Sequence, residues 1–288
     1  MMATQLVSAA PYNTTDALFR EWGGGLSAAF EALGFTKTAD TGQIDWATVL
    51  HPTTTNQMMG YEIRQFTDDL QAQNPVIVKV EYGSGTNGFN NIGMTITVGR
   101  ATDGAGTLIK SASSPIWIYT STGSNDVKPF YVSGDGGRIN FGVGNITAAN
   151  NWSIGFSIER FKDDSGSPTN SGVNIVCFGA GTKYQQGFLR VGGPFPLTVQ
   201  TSLCCMAPYI GLGSYDGNIG LFPIHVMRGY TDNPDLGCCV YCLNDIATNV
   251  EIDMTILGTS HHYITLGFTI GNINGNTGQS FGVALRYE

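Results

Sequence analysis

The chain has 288 residues, of which only 12% are charged, against about 25% in an average soluble domain, while glycine supplies 39 positions. A chain so short of Lys, Glu and Arg and so rich in turn formers is not all-helical, and an apolar fraction of 42% provides a core and argues against disorder. The net charge of -8 comes from 14 basic and 22 acidic residues, and the basic ones stand singly, which excludes a phosphate-neutralising groove for nucleic acid.

In chain order, Met1 to Ala10 has neither the basic start nor the long apolar centre of a signal sequence, and the longest apolar runs, such as Cys238 to Leu243, are too short for a membrane-spanning helix. This predicts a chain that is soluble and cytoplasmic when made, with no membrane partner. The first element is a helix, because Leu18, Trp22, Leu26, Phe30 and Leu33 recur at helical spacing. Thr15 can cap its start, Asp16 suits its positive end, and Gly34 can end it. Gly23, Gly24 and Gly25 interrupt the pattern, each costing about 1 kcal/mol relative to Ala in a helix interior. Either the helix breaks there, or the glycines let its backbone approach another surface closely. Burying Leu18, Phe19, Trp22 and Phe30 at about 1.5–3 kcal/mol each outweighs that cost once a partner surface exists. The surface is either the chain's own domain or a neighbouring subunit, and the second option makes Leu18, Phe19, Trp22, Leu26 and Phe30 a candidate interface.

Composition shifts near residue 58, which divides the chain into a helix-bearing docking segment, 1–58, and a β-rich sandwich region, 59–288, of one or two sub-domains. From Gly60 onward, short β-prone stretches alternate with Gly, Asn, Ser and Asp clusters. Strands are predicted at Tyr61–Phe66, Pro75–Tyr82, Ile92–Val98, Ile116–Thr120, Pro129–Ser133, Arg138–Val143 and Trp152–Phe161. Others follow at Val173–Phe178, Gly187–Val191, Ile219–Val226, Cys238–Leu243, Val250–Leu257, His262–Ile270 and Ser280–Tyr287. Val78, Val80 and Tyr82 alternate with Lys79 and Glu81, giving one buried face and one wet face, and the glycines from Gly83 to Gly88 suggest a long-looped hairpin. Many such stretches without intervening helices predict a mainly β protein, an antiparallel β-sandwich or jelly-roll-like domain with a short N-terminal helical segment.

Chemistry is sparse. Gly278 to Gly282 matches the G-x-S-x-G pattern around Ser280, but no helix pattern and no His follow it, as a nucleophile elbow requires. His51, His225, His261 and His262 lie in a loop, a strand and a strand start. Asp68-Asp69 and Asp163-Asp164 sit among turn residues, Asp69 suiting a cap before Leu70, and adjacency in one loop does not place two carboxyls across a cleft. Lys162 to Ser167 lacks the alternating ligands of a calcium loop. Cys204, Cys205, Cys238, Cys239 and Cys242 admit three readings: buried thiols, disulfides, or a zinc site completed by His225. The buried-thiol reading is preferred, and no metal or cofactor is predicted.

Thr15 to Trp22 leading to Leu33-Gly34-Phe35, Thr38 to Trp46, Gly60 to Asp68, Val78 to Gly85, Val98 to Thr107, Trp152 to Phe161 with Asp163 to Gly166, and the terminal Leu285 to Glu288 resemble, in style and order, virion structural proteins encoded among the tail and head-tail genes of tailed bacteriophages. The resemblance implies a β-rich, non-enzymatic subunit of a particle, made in the host bacterial cytoplasm and partnered by copies of itself and other virion proteins. It brings no catalytic residue with it. Tail tip, fibre base and neck are the expected locations. The alternative is a receptor- or glycan-binding β-sandwich using Tyr184, Tyr215 or Tyr230 on a host-surface glycan, with head decoration and envelope-glycan depolymerisation as lesser options.

Overall fold

A computed structural model describes residues 3–9, 15–85, 88–109, 116–119, 127–144, 154–162, 167–178, 184–190, 193–194, 198–200, 222–223, 238–242, 250–256, 259–266 and 281–287. The chain opens with β1 (Ala3–Ala9), α1 (Asp16–Ala32), β2 (Phe35–Lys37), β3 (Met58–Phe66), β4 (Ile77–Gly85) and β5 (Gly88–Gly99). It continues through β6 (Ala101–Thr102), β7 (Leu108–Ile109), β8 (Ile116–Tyr119), β9 (Lys128–Gly134), β10 (Arg138–Val143), β11 (Ile154–Lys162) and β12 (Pro168–Phe178). The remaining strands are β13 (Tyr184–Arg190), β14 (Gly193–Pro194), β15 (Thr198–Gln200), β16 (Phe222–Pro223), β17 (Cys238–Cys242), β18 (Glu251–Ile256), β19 (Thr259–Thr265) and β20 (Phe281–Arg286).

The fold is mainly antiparallel β and sandwich-like, with the helix near the N-terminus. A front sheet has the order β2-β3-β4-β5-β8, a central sheet runs β1-β9-β10-β11-β12-β13-β14 with β15 beside β13, and a rear sheet runs β16-β17-β20-β19-β18. Alternation explains the layering. On the central sheet Phe130, Val132, Ile139, Phe141, Phe156 and Ile158 join the core that includes Val78, Val80, Tyr82, Met94 and Ile96 of the front sheet. The intervening residues Ser133, Asn140 and Ser157 are also buried. Ser157 Oγ donates to Asn140 Oδ1 at 2.7 Å, Ser133 Oγ donates to the Arg286 carbonyl at 2.6 Å, and Asn140 Nδ2 reaches that same carbonyl at 3.4 Å. This polar seam fastens the central sheet to β20.

The helix begins where expected. Thr15 is extended and its Oγ1 accepts the Leu18 N–H at 3.3 Å, Asp16 occupies the first turn, and Gly34 follows the end at φ +77°, a conformation that glycine adopts without a Cβ penalty. Thr15→Ala is expected to destabilise the protein by about 1 kcal/mol, measured as a lowered urea midpoint with unchanged slope. The helix does not break at its glycines. A Cβ on Gly23 would fall 1.9 Å from Trp46 Cη2, and one on Gly25 would fall 2.8 Å from Val7 Cγ1, so the missing side chains admit an indole and the strand β1.

Two expectations about this region are corrected. The hairpin is not long-looped, because β4 and β5 run on through the glycines until Gly85 pairs with Gly88. Glycine is required at 83, where a Cβ would lie 2.2 Å from the Gln57 carbonyl oxygen. Residues 1–58 are not set apart either: β1 pairs with β9, β2 pairs with β3, and the helix shares the common core.

Candidate functional site

Four of the five residues expected to form an interface, Leu18 being the exception, are buried in the core. Phe19, Trp22, Leu26 and Phe30 are each 0% exposed, and Leu18 is half-buried. Phe30 packs edge-on against Phe35 and Phe141 and touches Phe156, while Trp22 meets Tyr82 edge-on at 5.9 Å. The apolar face of α1 is therefore used inside the chain, between the front and central sheets, and not for docking on a neighbour. Removing residues 1–35 would open this core rather than undock a separate segment.

Beside the helix lies a buried ionic cluster. Glu62 and Arg64 are two residues apart on β3, so both side chains point to the same face, and both are 0% exposed. Arg64 Nε and Nη2 donate to Glu62 Oε2 at 2.9 and 2.8 Å, and the Tyr82 hydroxyl donates to the same oxygen at 2.9 Å. Glu62 Oε1 accepts from Ser27 Oγ at 2.6 Å and Trp46 Nε1 at 3.0 Å, and lies 2.6 Å from Lys37 Nζ. Arg64 also donates to the carbonyls of Phe35, at 2.6 Å, and Ser27, at 3.0 Å, with its guanidinium over the Phe30 and Phe35 rings. Burial pushes the Glu62 carboxyl up, but Arg64, Lys37 and Ser27 outweigh it and hold the group below the ordinary carboxylate range. Tyr82 is driven well above the usual phenol range by burial and by the Glu62 charge, and so remains a donor. The cluster ties α1, β2, β3, β4 and the loop carrying Trp46 to one carboxylate.

A second ion pair joins the two sheets. Arg160 on β11 is 1% exposed, and its Nε and Nη2 embrace Asp68, the latter at 2.8 Å, while Nη1 donates to the Asn74 carbonyl at 2.9 Å. The turn containing Asp68 is thus clamped from across the sandwich. Asp69, expected to cap a turn before Leu70, is exposed within that turn.

An open groove of about 1010 Å³ lies alongside, lined in part by Asp40, Phe66, Asp68, Asp69, Arg100 and Asp103. The carboxylates of Asp40, Asp68 and Asp103 are engaged by neighbours. Asp40 accepts from Thr38 Oγ1 at 2.5 Å, from Thr102 Oγ1 and from the Gly106 N–H at 3.3 Å, bonds that overcome a burial penalty and hold its pKa low. Asp103 accepts the Ala105 and Thr107 N–H groups at 2.8 and 2.9 Å, which shapes the β6–β7 turn.

The other sequence candidates separate. His51 Nδ1 sits 2.6 Å from Asp16 at the helix start, and His262 Nδ1 pairs with Asp253 between β19 and β18. Lys79 and Glu81 form a half-buried pair at 2.8 Å rather than a fully wet face. Cys238, Cys239 and Cys242 lie on β17 and Tyr184 on β13. Asp163, Asp164, Cys204, Cys205, Tyr215, His225, Tyr230 and Ser280 lie outside the described residues. Among the described residues no three His, Cys, Asp or Glu side chains are grouped to hold a metal ion, and no helix is long and apolar enough to cross a membrane. Glu62 and Arg64 escaped the sequence reading, although two opposite charges at strand spacing beside Phe66 are a usable signal of a charged pair on a shared face.

Compared with known proteins, the chain matches no family model, no curated protein and no solved structure.

Proposed function

We propose that the chain is a non-enzymatic structural subunit of a tailed-phage particle, associated with the tail at its tip, fibre base or neck, and that it works by subunit association. The observation that carries this reading is how the ionisable groups of the described interior are used. Glu62, Arg64, Asp68 and Arg160 are bound to one another and to backbone carbonyls across elements, which suits holding a shape more than exchanging protons with a substrate. The likeness to tail and head-tail proteins in sequence style supports the same conclusion. The open groove beside Asp69 and Asp103, both exposed, gives the glycan-binding alternative a place to act through polar groups that can meet sugar hydroxyls.

The decisive measurement is mass spectrometry of purified particles from a phage encoding this chain. A low, fixed copy number is expected. Absence from particles would overturn the proposal, and a high copy number would move the chain to the head surface. Hits on a glycan array that disappear on altering the exposed groove residues Asp69 and Asp103 would favour the binding module instead.

A further inference from the structure

Among the described end strands, β1 is unusual. β2, β8, β14 and β16 have only two to four residues, and β18 carries the exposed carboxylates Glu251 and Asp253. Short length and charge are the ordinary ways of keeping a sheet edge from pairing with another chain. β1 has seven residues, Ala-Thr-Gln-Leu-Val-Ser-Ala, with neither charge nor proline. It pairs with β9 along its whole length, from Ala3 opposite Gly134 to Ala9 opposite Lys128, and among the described strands it is the last of the central sheet on that side. Leu6 at its centre is 55% exposed, and Gln5 and Ser8 are exposed.

We infer that β1 is a homodimer edge, pairing antiparallel with β1 of a second copy about a two-fold axis at Leu6, so that the central sheets of two copies become continuous. The inference rests on the reading of the chain as an associating subunit and names the surface. The sequence supports self-pairing. A two-fold axis at the central residue places Leu6 opposite Leu6, Gln5 opposite Val7, Thr4 opposite Ser8 and Ala3 opposite Ala9, so residues of similar size meet and no charge is opposed. Each residue also meets one of the same parity. The inward set headed by Val7, which lies opposite Phe130, and the outward set headed by Leu6, which lies opposite Tyr131, therefore keep their faces across the junction. Such an interface is isologous and closes at two copies. A pairing of two seven-residue strands falls at the small end of interface sizes, below about 1,200 Å², so the dimer depends on protein concentration.

Sedimentation of the full chain tests this over a concentration range on the order of a hundredfold. The wild type is expected to rise from 30.7 kDa toward twice that mass. Leu6→Lys and Leu6→Glu, each placing like charges opposite each other at the axis, are expected to stay at the chain mass with unchanged circular dichroism, and an equimolar mixture of the two is expected to regain the doubled mass. Under mild oxidation Leu6→Cys is expected to give a covalent dimer that wild type and Gln5→Cys do not, a result independent of how the charged variants fold. A wild type that stays at the chain mass overturns the inference. So does a Leu6→Lys protein that still dimerises, or a Leu6→Cys protein that cross-links no more than Gln5→Cys. A dimer broken by Leu6→Lys in a protein absent from particles would leave the pairing standing and remove the virion reading, and a monomer found in particles would do the reverse.

Discussion

Arg64→Met is expected to destabilise the protein by about 3–5 kcal/mol, the range for removing one member of a buried ion pair, seen as a fall in urea midpoint at neutral pH. Three losses add. Glu62 keeps Lys37, Ser27, Trp46 and Tyr82 but loses the guanidinium that donates twice to its Oε2, and the Phe35 and Ser27 carbonyls lose their donor. Glu62→Gln should be harmful for the converse reason, because it leaves Arg64 buried with Glu31 as its remaining acid, at 3.4 Å. Since both variants break one interaction, the double variant should cost less than the sum of the singles, with a coupling of about 0.5–3 kcal/mol. The pH dependence has a definite sign. The Glu62 pKa is lowered in the folded state from its ordinary 4.5, so its contribution is fully present above that value and is lost as pH falls through the lower, folded value. The Tyr82 pKa is raised above its ordinary 10.0, so its contribution holds below pH 10 and is lost as pH rises past it. Urea titrations from acid to alkaline pH should therefore show a plateau that falls at both ends. In Arg64→Met the acid-side fall should begin at a higher pH, because the carboxylate has lost its main stabilising charge.

Neighbouring glycines in the helix should answer the same substitution with opposite signs. Gly23→Ala puts a methyl group into the Trp46 indole, 1.9 Å from Cη2. That ring has little room to retreat, being held by its hydrogen bond to Glu62 and by edge contact with Tyr82 at 4.9 Å. Overpacking costs about 1–3 kcal/mol and displaces the indole from Glu62, which also deprives the carboxylate of a donor. The helix-propensity gain of about 1 kcal/mol offsets only part of this, so a net loss of about 2 kcal/mol is expected, with a shift in tryptophan emission. At Gly24 the added Cβ would stand 3.5 Å from Trp46 Cβ, an ordinary contact, so Gly24→Ala should raise stability by up to about 1 kcal/mol. Chemical denaturation of the two variants side by side checks both. A stabilised Gly23→Ala would mean that Trp46 is not seated against the helix.

These glycines also show what the sequence disclosed and what it withheld. The helix, its Thr15 cap and its end before Gly34 follow from local rules. Most strands were readable as well: β10 spans the predicted Arg138–Val143, and β9 and β20 lie within one residue of prediction at each end. Sequence could offer a break or a close approach at Gly23, but only the position of Trp46, twenty-three residues away, decides between them. β1 was missed because Ala3–Ala9 shows little apolar alternation and its partner lies in β9. The inward turn of Phe19, Trp22, Leu26 and Phe30 is likewise decided by long-range packing, since an apolar helix face does not say which surface will cover it. The Glu62–Arg64 cluster was hidden because charged residues alternating with Tyr61, Ile63 and Gln65 look like a solvent face until the helix is laid over them.

The pairing of β1 with β9 carries a consequence for how the protein is made. Ala3 finds its partner in Gly134, a residue that leaves the ribosome about 130 positions later. At synthesis rates of about 5–20 residues per second, the first strand waits on the order of ten seconds before its place exists. During that time the apolar face of α1 also lacks Phe141 and Phe156. The nascent chain therefore displays this apolar helix face well before the strands that cover it, which makes residues 3–33 a natural target for a holding chaperone and makes faster translation of residues 34–156 a route to better yield.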